Sequence, residues 1–392
     1  MSAEAKTHGM DGTLVEPDWP PLTLEEVRSL LADYSGCGDP VTILSVSPRP
    51  FSAASVAETA GGRVFVKRHA RTVRDREGLL EEHEFLAHLA ARGVPVPRVL
   101  ATSAGSTVTE AGAWTYEVHE VPAGADAYEE AVSWTPFRSR EHARSAGEML
   151  AGLHVAAQDY AAPARKPRPL VASFSIFADA DPAAAMQRYL AERPALDADA
   201  ETRRRCEEAL DQLSPFHAEL RPLLPALTPL WTHNDLHASN LFWSDASDKA
   251  RAVGVIDFGL ADRTNAVHDV AQALERNVVE WLELVRDPAH PEKVRIHLEH
   301  VEALLDGYEL VREFSDEEAA ALAPMMALCH AEFALTEADY FLGALHSREK
   351  AAMASNDYLL GHARWFRGAG SAVLDALREW AARRAKTKAD RA

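Results

Sequence analysis

The sequence is poor in cysteine, and the three cysteines that it has stand far apart. Cys37, Cys206 and Cys329 form no Cys-x-x-Cys pair, so the chain lacks the spacing of a disulfide framework or a zinc ribbon. A basic N-terminal stretch leading into an apolar core, which would mark a secretory signal, is also missing. The longest apolar run, 319–329, contains Pro324 and is shorter than the roughly 18 residues that a membrane span needs. These absences predict a soluble, cytoplasmic protein in a reducing compartment.

Basic residues are also in deficit. The chain of 392 residues has 41 Lys and Arg against 60 Asp and Glu, a formal net charge of -19. Nucleic-acid binding through phosphate contacts needs a basic face, so the charge argues against that class, and it mildly favours a cationic substrate. The hydrophobic content of 47% is ordinary for a globular chain, and the length predicts two lobes or domains of about 100 to 200 residues each.

The most informative feature present is a pair of polar motifs. Residues 233–240 read His-Asn-Asp-Leu-His-Ala-Ser-Asn, an H-x-D-x-x-x-x-N pattern, and Asp-Phe-Gly follows at 257–259. Such loops position a hydroxyl nucleophile and two metal ions in phosphoryl transfer. The aspartate can accept the proton of the hydroxyl, and the asparagine can turn its amide oxygen toward magnesium. We therefore predict Asp235 as the base and Asn240 and Asp257 as metal ligands.

The sequence between the two motifs predicts a hairpin. Apolar segments at 241–243 and 252–256 flank a polar turn at 244–249. A hairpin of this kind would bring Asn240 and Asp257 together. Both motifs in order, joined by an insert of hairpin length, are far more specific than either motif alone.

Two other interpretations of these residues stay open. Asp235 and Asn240 could cap a turn while Asp257 ends a strand. Alternatively, His233, Asp235 and His237 could form the metal cluster of a hydrolase, since imidazoles and a carboxylate suit zinc. That cluster would need a further ligand from elsewhere, and no second cluster of matching character stands out in the sequence.

In these motifs the chain resembles the aminoglycoside phosphotransferase and choline kinase family of small-molecule kinases. The resemblance is carried by the segments 232–242, 256–259 and 268–271 and, upstream, by 64–68 and 82–100. It implies the α+β, protein-kinase-like fold with two lobes, the N-terminal one small and mostly β and the C-terminal one larger and mostly helical. It also implies ATP and Mg²⁺ as cofactors.

Upstream of the motifs, Lys67 closes an apolar strand, where its ammonium group could face phosphate oxygens. The family's helix pattern implies Glu82 as the carboxylate that holds this lysine, with Glu84 as the second choice. A strand-end lysine extending to water and a solvated acidic helix face are the alternatives.

Two further segments concern the nucleotide. By resemblance, backbone groups of the connector 117–124 would bind adenine near His119, Glu120 and Val121. The segment 45–54, which would cover the phosphates, has no glycine. Since glycine lets backbone amides approach phosphate closely, we expect this loop to bind through Arg49, hydroxyl groups or its backbone amides.

The chain divides into four predicted regions. Residues 1–20 are expected to be disordered; 21–124 form the nucleotide-binding lobe, beginning with a capping box at 23–26. Residues 125–382 form the catalytic and acceptor-binding lobe, and 383–392 a frayed tail.

Together these observations predict ATP- and magnesium-dependent phosphorylation of a hydroxyl group on a small molecule such as an aminoglycoside, amino sugar, sugar or amino alcohol. His233 would fix the loop, and His237 would lie near the transferring phosphoryl group. A catalytically silent nucleotide-binding module of the same fold is the alternative. A cationic acceptor would be favoured if acidic residues after the metal loop lined its pocket; the candidates are Asp262, Glu275, Glu280, Glu283, Glu332, Glu337 and Asp339.

Overall fold

A computed structural model describes residues 6–9 and 12–390, which fall into two compact units. Unit 1 is built from residues up to Gly124 together with 254–256, and unit 2 from 125–253 and the residues from Asp257 onward. Because 254–256 belong to unit 1, the chain returns to unit 2 at the predicted metal ligand Asp257.

Unit 1 is an antiparallel sheet with two helices. Its elements in chain order are β1 (Thr7–His8), β2 (Leu14–Val15), α1 (Leu24–Leu31), β3 (Pro40–Val46), β4 (Ala53–Thr59), β5 (Gly62–Ala70), α2 (Arg76–Ala91), β6 (Thr109–Ala111) and β7 (Trp114–Glu120). The main sheet has five strands in the order β3-β4-β5-β7-β6, and every neighbouring pair is antiparallel. The turn from β4 to β5 ends at Gly62, whose φ of 126° strongly favours glycine.

Helix α1 begins as its sequence predicts. Thr23 accepts a hydrogen bond from the Glu26 amide, and the Glu26 carboxylate accepts one from the Thr23 amide, which completes the capping box. The helix buries Val27, Leu30 and Leu31 in the hydrophobic core of the sheet. Burial of these side chains fixes the helix on the sheet, since each fully buried apolar side chain contributes about 1.5–3 kcal/mol.

Ordered structure begins earlier than residue 21, where the sequence placed the start of the lobe. β1 pairs with β2 in an antiparallel ladder, and the His8 amide donates to the Pro48 carbonyl at 2.8 Å. Residues 1–5, 10 and 11, which belong to the segment expected to be disordered, lie outside the described residues.

Unit 2 is mostly helical. Its elements are α3 (Arg140–Ala157), α4 (Pro182–Ala191), α5 (Pro194–Asp197), α6 (Ala200–Leu220), β8 (Pro229–Thr232), β9 (Leu241–Trp243), β10 (Ala252–Val255), β11 (Asp262–Asn265), α7 (Ala266–Val278), α8 (Trp281–Arg286), α9 (Leu298–Glu309), α10 (Asp316–Leu328), α11 (His330–Gly343), α12 (Arg348–Ala352), α13 (Gly361–Arg367) and α14 (Ser371–Ala389). A π-helical segment, Met353–Leu360, links α12 to α13. The last two residues of β10 are counted in unit 1. β8 pairs with β11, and β9 with β10, as two-stranded sheets.

Helices α3 and α9 cross at close range through two glycines. A Cβ atom on Gly147 would collide with the Leu304 carbonyl oxygen, and one on Gly307 would collide with the Arg144 carbonyl oxygen. The absence of side chains at both positions therefore lets the two backbones touch.

Helices α10 and α11 form one apolar helical stretch, Asp316–Gly343, that is long enough to cross a membrane by length and composition. It extends beyond the apolar run seen in the sequence, but 94% of its most apolar window is buried inside the protein. Core helices meet the same criterion, so the stretch is weak support for a membrane span.

The C-terminal segment is helical for most of the predicted tail. α14 continues to Ala389, and the Arg384 guanidinium forms an ion pair with Asp316 at 2.9 Å. Residues 391 and 392 lie outside the described part of the chain.

Candidate active site

One buried carboxylate, that of Asp269, binds the backbone of the loop that carries the H-x-D-x-x-x-x-N motif. Asp269, on the first turn of α7, accepts the backbone N–H groups of His233 and Asn234, both at 2.8 Å. His154 also donates to Asp269, at 3.0 Å. Burial by itself would raise the pKa of Asp269, but His154 and His233 lower it overall. Asp269 therefore anchors the loop, and the fully buried His154 supports the loop through it.

A second anchor, Asn277, was not found from the sequence. Its amide oxygen accepts the Ala238 N–H at 2.8 Å, and its amide nitrogen donates to the Leu236 carbonyl at 2.8 Å. Every residue of α7 is buried. The helix also contains other polar residues, so the asparagine did not stand out in the sequence. Its burial is what requires hydrogen-bond partners.

Asp235 lies at the centre of a compact polar group. The Asn240 amide nitrogen donates to the Asp235 carbonyl at 2.9 Å, and His237 Nε2 is 3.8 Å from the Asp235 carboxylate. The side chain of Asp235 remains 16% exposed, whereas its neighbours in the loop are buried. Three of the predicted site residues are thus brought together, with the carboxylate accessible from one side.

The structure adds Arg276 to this group. Its Nε lies 3.0 Å from Asp235 Oδ1, and the arginine side chain is fully buried. Burial alone would lower the pKa of Arg276, but nearby Tyr358, Asp235 and acidic neighbours raise it overall. The guanidinium also stacks on the Phe333 ring at 3.9 Å. No local pattern in the sequence pairs Arg276 with a residue 41 positions upstream, so only the fold reveals this contact.

Asn240 and Asp257 stand at the same end of the predicted hairpin. Asn240 immediately precedes β9, Asp257 follows β10 by two residues, and the Ser244 amide closes the hairpin on the Arg251 carbonyl at 2.8 Å. Asp257 adopts a left-handed conformation, with φ of 61°, which is uncommon for a residue with a side chain. The predicted strand-turn-strand arrangement is confirmed.

The donor set at this end suits magnesium. Because the Asn240 amide nitrogen is used within the loop, its amide oxygen is the atom left for a cation. A carboxylate on Asp257 adds a second hard oxygen donor, the type that magnesium prefers. The two residues therefore fit the ion that the motif implies.

His233 acts on the loop and does not reach its surface. It is fully buried, its Nδ1 accepts the Asp235 amide at 3.2 Å, and its ring packs against Phe258 at 4.6 Å. Within the described chain, His233, Asp235 and His237 do not form a group whose ligand atoms converge. This geometry counts against the metal-hydrolase interpretation.

Aromatic side chains surround Arg276 next to Asp235. Trp134, which has a φ of 70°, stacks on Tyr358 at 5.1 Å and meets Phe333 edge-on at 6.2 Å. Trp134 is partly exposed, while Phe333 and Tyr358 are buried. Aromatic rings therefore enclose the guanidinium group that contacts Asp235, and of the three rings Trp134 is the one that is partly exposed.

Most of the acidic residues considered for acceptor binding are engaged inside unit 2. Asp262, Glu275, Glu280, Glu283 and Glu332 accept hydrogen bonds from side chains or backbone amides of the same unit. Glu337 differs: among the described residues its Oε2 has no hydrogen-bond partner, and burial raises its pKa to about 8. Burial also raises the pKa of Asp339 to about 6. The acids therefore do not form an exposed anionic surface.

The predicted nucleotide residues lie in unit 1. Lys67 is on β5, and Glu82 on α2 is buried with its carboxylate 3.1 Å from Arg74 Nη1. The Glu120 amide donates to the Arg98 carbonyl at 3.0 Å, so that N–H is engaged within the unit. The pairing of Lys67 with Glu82 and the adenine contacts stay predictions.

His119 belongs to a buried group that the sequence did not suggest. Glu117 accepts hydrogen bonds from His69, His83 and His119, at 2.9, 2.9 and 2.8 Å. Burial by itself would raise the pKa of Glu117, but these histidines hold it well below its usual range. Glu117 is therefore an ionised carboxylate inside unit 1.

Comparison with known sequences identifies relatives of this arrangement. A sequence model of the phosphotransferase enzyme family matches residues 51–314. A homoserine kinase of Rhodospirillum rubrum is 29% identical over 251 residues, which cover 62% of this chain and 63% of that enzyme. The chain thus spans less than two thirds of the length of this curated relative.

Solved structures with the same fold are more distant in sequence. A microcompartment-associated aminopropanol kinase aligns with a TM-score of 0.59 at 20% identity, over 90% of this chain and 99% of its own. An amicoumacin kinase in complex with AMP-PNP and Ca²⁺ aligns with a TM-score of 0.54 at 15% identity, over 86% and 92%. These likenesses confirm the predicted α+β, protein-kinase-like fold.

Proposed function

The chain belongs to the phosphotransferase enzyme family, and we propose that it is a kinase that transfers the terminal phosphoryl group of ATP to a hydroxyl group of a small molecule. The observation that carries the proposal is the state of Asp235: it is accessible, while the loop around it is buried and bonded to Asp269 and Asn277. A base held in a fixed loop beside open space is what acceptance of a hydroxyl proton requires.

The reaction assigns a task to each residue near Asp235. The acceptor oxygen bonds to the terminal phosphorus, the bond from phosphorus to the bridging oxygen breaks, and the hydroxyl proton passes to the Asp235 carboxylate. Arg276, 3.0 Å from Asp235 Oδ1, orients the carboxylate. His237, 3.8 Å from Asp235, can donate a hydrogen bond to the transferring group.

Asn240 and Asp257 would hold magnesium, and Lys67 would hold phosphate oxygens of the nucleotide. A bound magnesium ion neutralises charge on the phosphates. The family relative solved with AMP-PNP and Ca²⁺ supports nucleotide and divalent-metal use. The proposed adenine contacts are backbone groups at 119–121. His119 and Glu120 end β7, and Val121 follows it directly.

The acceptor would lie against Trp134 and the open side of Asp235. Two relatives are named for homoserine and aminopropanol, both of which combine a hydroxyl with an amine. The partly exposed Trp134 ring could attract an ammonium group through a cation–π contact of about 0.5–1 kcal/mol. Amino alcohols are therefore the first class to test, followed by amino sugars, aminoglycosides and plain sugars.

The base assignment is tested by Asp235→Asn, measured by single-turnover phosphoryl transfer to the best acceptor of that screen. Turnover should fall by about a hundredfold or more, the effect of losing a general base, while nucleotide affinity is retained. Asp245→Asn, an exposed aspartate in the turn between β9 and β10, is the matched control and should be unaffected. Normal turnover in Asp235→Asn would remove the base role, and no acceptor-dependent turnover in the parent protein would favour the silent module.

The metal assignment is tested separately with Asp257→Ala. Loss of one charged ligand should abolish the magnesium-dependent part of nucleotide binding, measured by calorimetric titration of AMP-PNP with and without Mg²⁺. The matched control is Asp248→Ala, which removes an exposed aspartate from the hairpin turn. Magnesium-dependent binding of parental strength in Asp257→Ala would exclude Asp257 as a ligand.

A further inference from the structure

We propose that unit 1 binds a divalent transition-metal ion of the Zn²⁺ type through His83, Glu117 and His119. One ligand atom of each residue lies within 4.8 Å of the other two, and all three residues are buried. The three ligands belong to unit 1 and do not include Asn240 or Asp257, and the proposal does not depend on the proposed phosphoryl transfer.

The fold brings the three side chains together from two elements. Glu117 and His119 alternate along β7, so they point to the same face of the sheet, and His83 approaches from α2. The Nε2 atoms of His83 and His119 both lie on Glu117 Oε2, at 2.9 and 2.8 Å. Two imidazole nitrogens therefore converge on one carboxylate oxygen in a place shielded from water.

Two of the three ligand side chains already have a hydrogen-bond partner of their own: His69 for Glu117 and Thr107 for His83. His69 Nε2 donates to the other carboxylate oxygen, Glu117 Oε1, at 2.9 Å and so fixes the orientation of the carboxylate. His83 Nδ1 lies 2.9 Å from the Thr107 hydroxyl. Metal-binding histidines almost always have such a partner on their second nitrogen, because it fixes the ring and the tautomer.

The ligand types select the metal. Two imidazoles and a carboxylate match protein zinc sites, with bonds of about 2.0–2.2 Å, and suit magnesium poorly. Metal binding uses the Nε2 lone pair of each histidine, so the ring N–H of each ligand must lie on Nδ1. On His83 that proton then points at Thr107. Ligand atoms around a tetrahedral zinc ion lie roughly 3.3 Å apart. The two histidine–carboxylate distances, 2.9 and 2.8 Å, would therefore widen by about half an ångström, and the two histidine nitrogens already lie within 4.8 Å of each other.

A bound ion would join α2 to β7 on the same face of the sheet as the proposed phosphate-binding lysine. Glu117 and Lys67 are paired residues in the ladder between β5 and β7. The backbone of His119 stays in the sheet, so its side chain can bind a metal without disturbing the connector that follows. We therefore expect the ion to stabilise unit 1.

The test uses untagged full-length protein stripped of metal with a chelator. Zn²⁺ affinity is measured by competition with a chromophoric chelator, and Co²⁺ replacement gives the visible spectrum of the site. We expect one tight equivalent of Zn²⁺, a visible Co²⁺ absorption that rises with the same stoichiometry, and two imidazole ligands by X-ray absorption. His83→Gln and His119→Gln should each weaken Zn²⁺ binding by at least about a hundredfold, more than the loss of an outer partner causes.

Two further variants separate a metal site from a hydrogen-bonded cluster. Thr107→Val keeps all three ligands but removes the partner of His83, and should weaken Zn²⁺ binding by about 10- to 100-fold. The double variant His297→Gln/His300→Gln, at a second histidine–glutamate group on α9, should leave the tight site intact. Thermal unfolding of each metal-free variant checks that it folds.

Three results would overturn the proposal. They are the absence of a tight Zn²⁺ equivalent in the parent, X-ray absorption without imidazole ligands, and tight binding that is lost in the α9 double variant but kept in folded His83→Gln.

Discussion

At the scale of single residues, the main finding is how completely Asp235 is fixed by side chains far away in sequence. Arg276 contacts its carboxylate, and Asn277, the next residue, holds the loop on either side of His237 through Leu236 and Ala238. One turn of α7 therefore sets both the position and the electrostatic surroundings of Asp235. Mutations in this buried helix should affect turnover although they touch no substrate.

Glu337 yields a prediction about pH and stability. Its pKa rises from an ordinary 4.5 to about 8 in the folded protein because of burial. Between these values the folded state keeps a proton that the unfolded state has lost, so stability falls as pH rises through this window. Glu337→Gln removes this titration. The free energy of unfolding of the variant minus that of the parent should therefore be higher at about pH 7.5 than at about pH 5, by more than about 1 kcal/mol.

The measurement is urea unfolding of both proteins at the two pH values. Glu313→Gln, at an exposed position between α9 and α10, serves as the control and should track the parent. An equal stability difference between Glu337→Gln and the parent at both pH values would contradict the protonated state of Glu337.

At the scale of secondary-structure elements, the crossing of α3 and α9 depends on glycine. Gly147→Ala places a methyl group against the backbone of Leu304, where no side chain can move aside. We expect a loss of about 1–3 kcal/mol in the free energy of unfolding, typical of an overpacked contact. Chemical denaturation of the purified variant measures it.

Gly152 on the same helix provides the matched control. A Cβ atom there would meet nothing within 4 Å, so Gly152→Ala should stabilise the protein by about 0.5–1 kcal/mol through helix propensity. If Gly147→Ala and Gly152→Ala had equal free energies of unfolding, α3 and α9 could move apart without loss of stability, and the prediction would be wrong.

At the scale of the whole molecule, the net charge of -19 does not translate into an anionic acceptor site. Five of the seven acids considered for that role accept hydrogen bonds within unit 2, and Glu337 is buried. We therefore expect acceptor recognition at short range, next to Asp235 and Trp134. Charges that are partly buried are screened little by salt.

The corresponding prediction is that the KM of the best acceptor changes by less than about twofold between about 0.1 M and 1 M salt, even if that acceptor carries an amine. The screening length falls from about 10 to about 3 Å over this range, so exposed charges would lose their effect. Mg-ATP is kept saturating at each point. A tenfold rise in KM would instead show long-range attraction of a cation by the protein surface.

The sequence by itself determined the family, the fold class and the chemistry of the loop. Residues 233–240 and 257–259 form one continuous pattern each, and the roles proposed for them follow from residue type and spacing. The hairpin between them and the capping box of α1 are local structures, and both were predicted. Local hydrogen bonds and short-range alternation of apolar residues encode such features directly.

Only the tertiary structure decided which distant side chains meet. Three sets of contacts show this: Arg276 beside Asp235, Asn277 on the loop, and His69 and His83 on Glu117. Their residues are separated by 34 to 48 positions. The burial of Glu337 and of Asp262, Glu275, Glu332 and Asp339 was also hidden, because a carboxylate has the same sequence signature on a surface and in a core. Burial and long-range pairing arise from packing of whole elements, which no local pattern specifies.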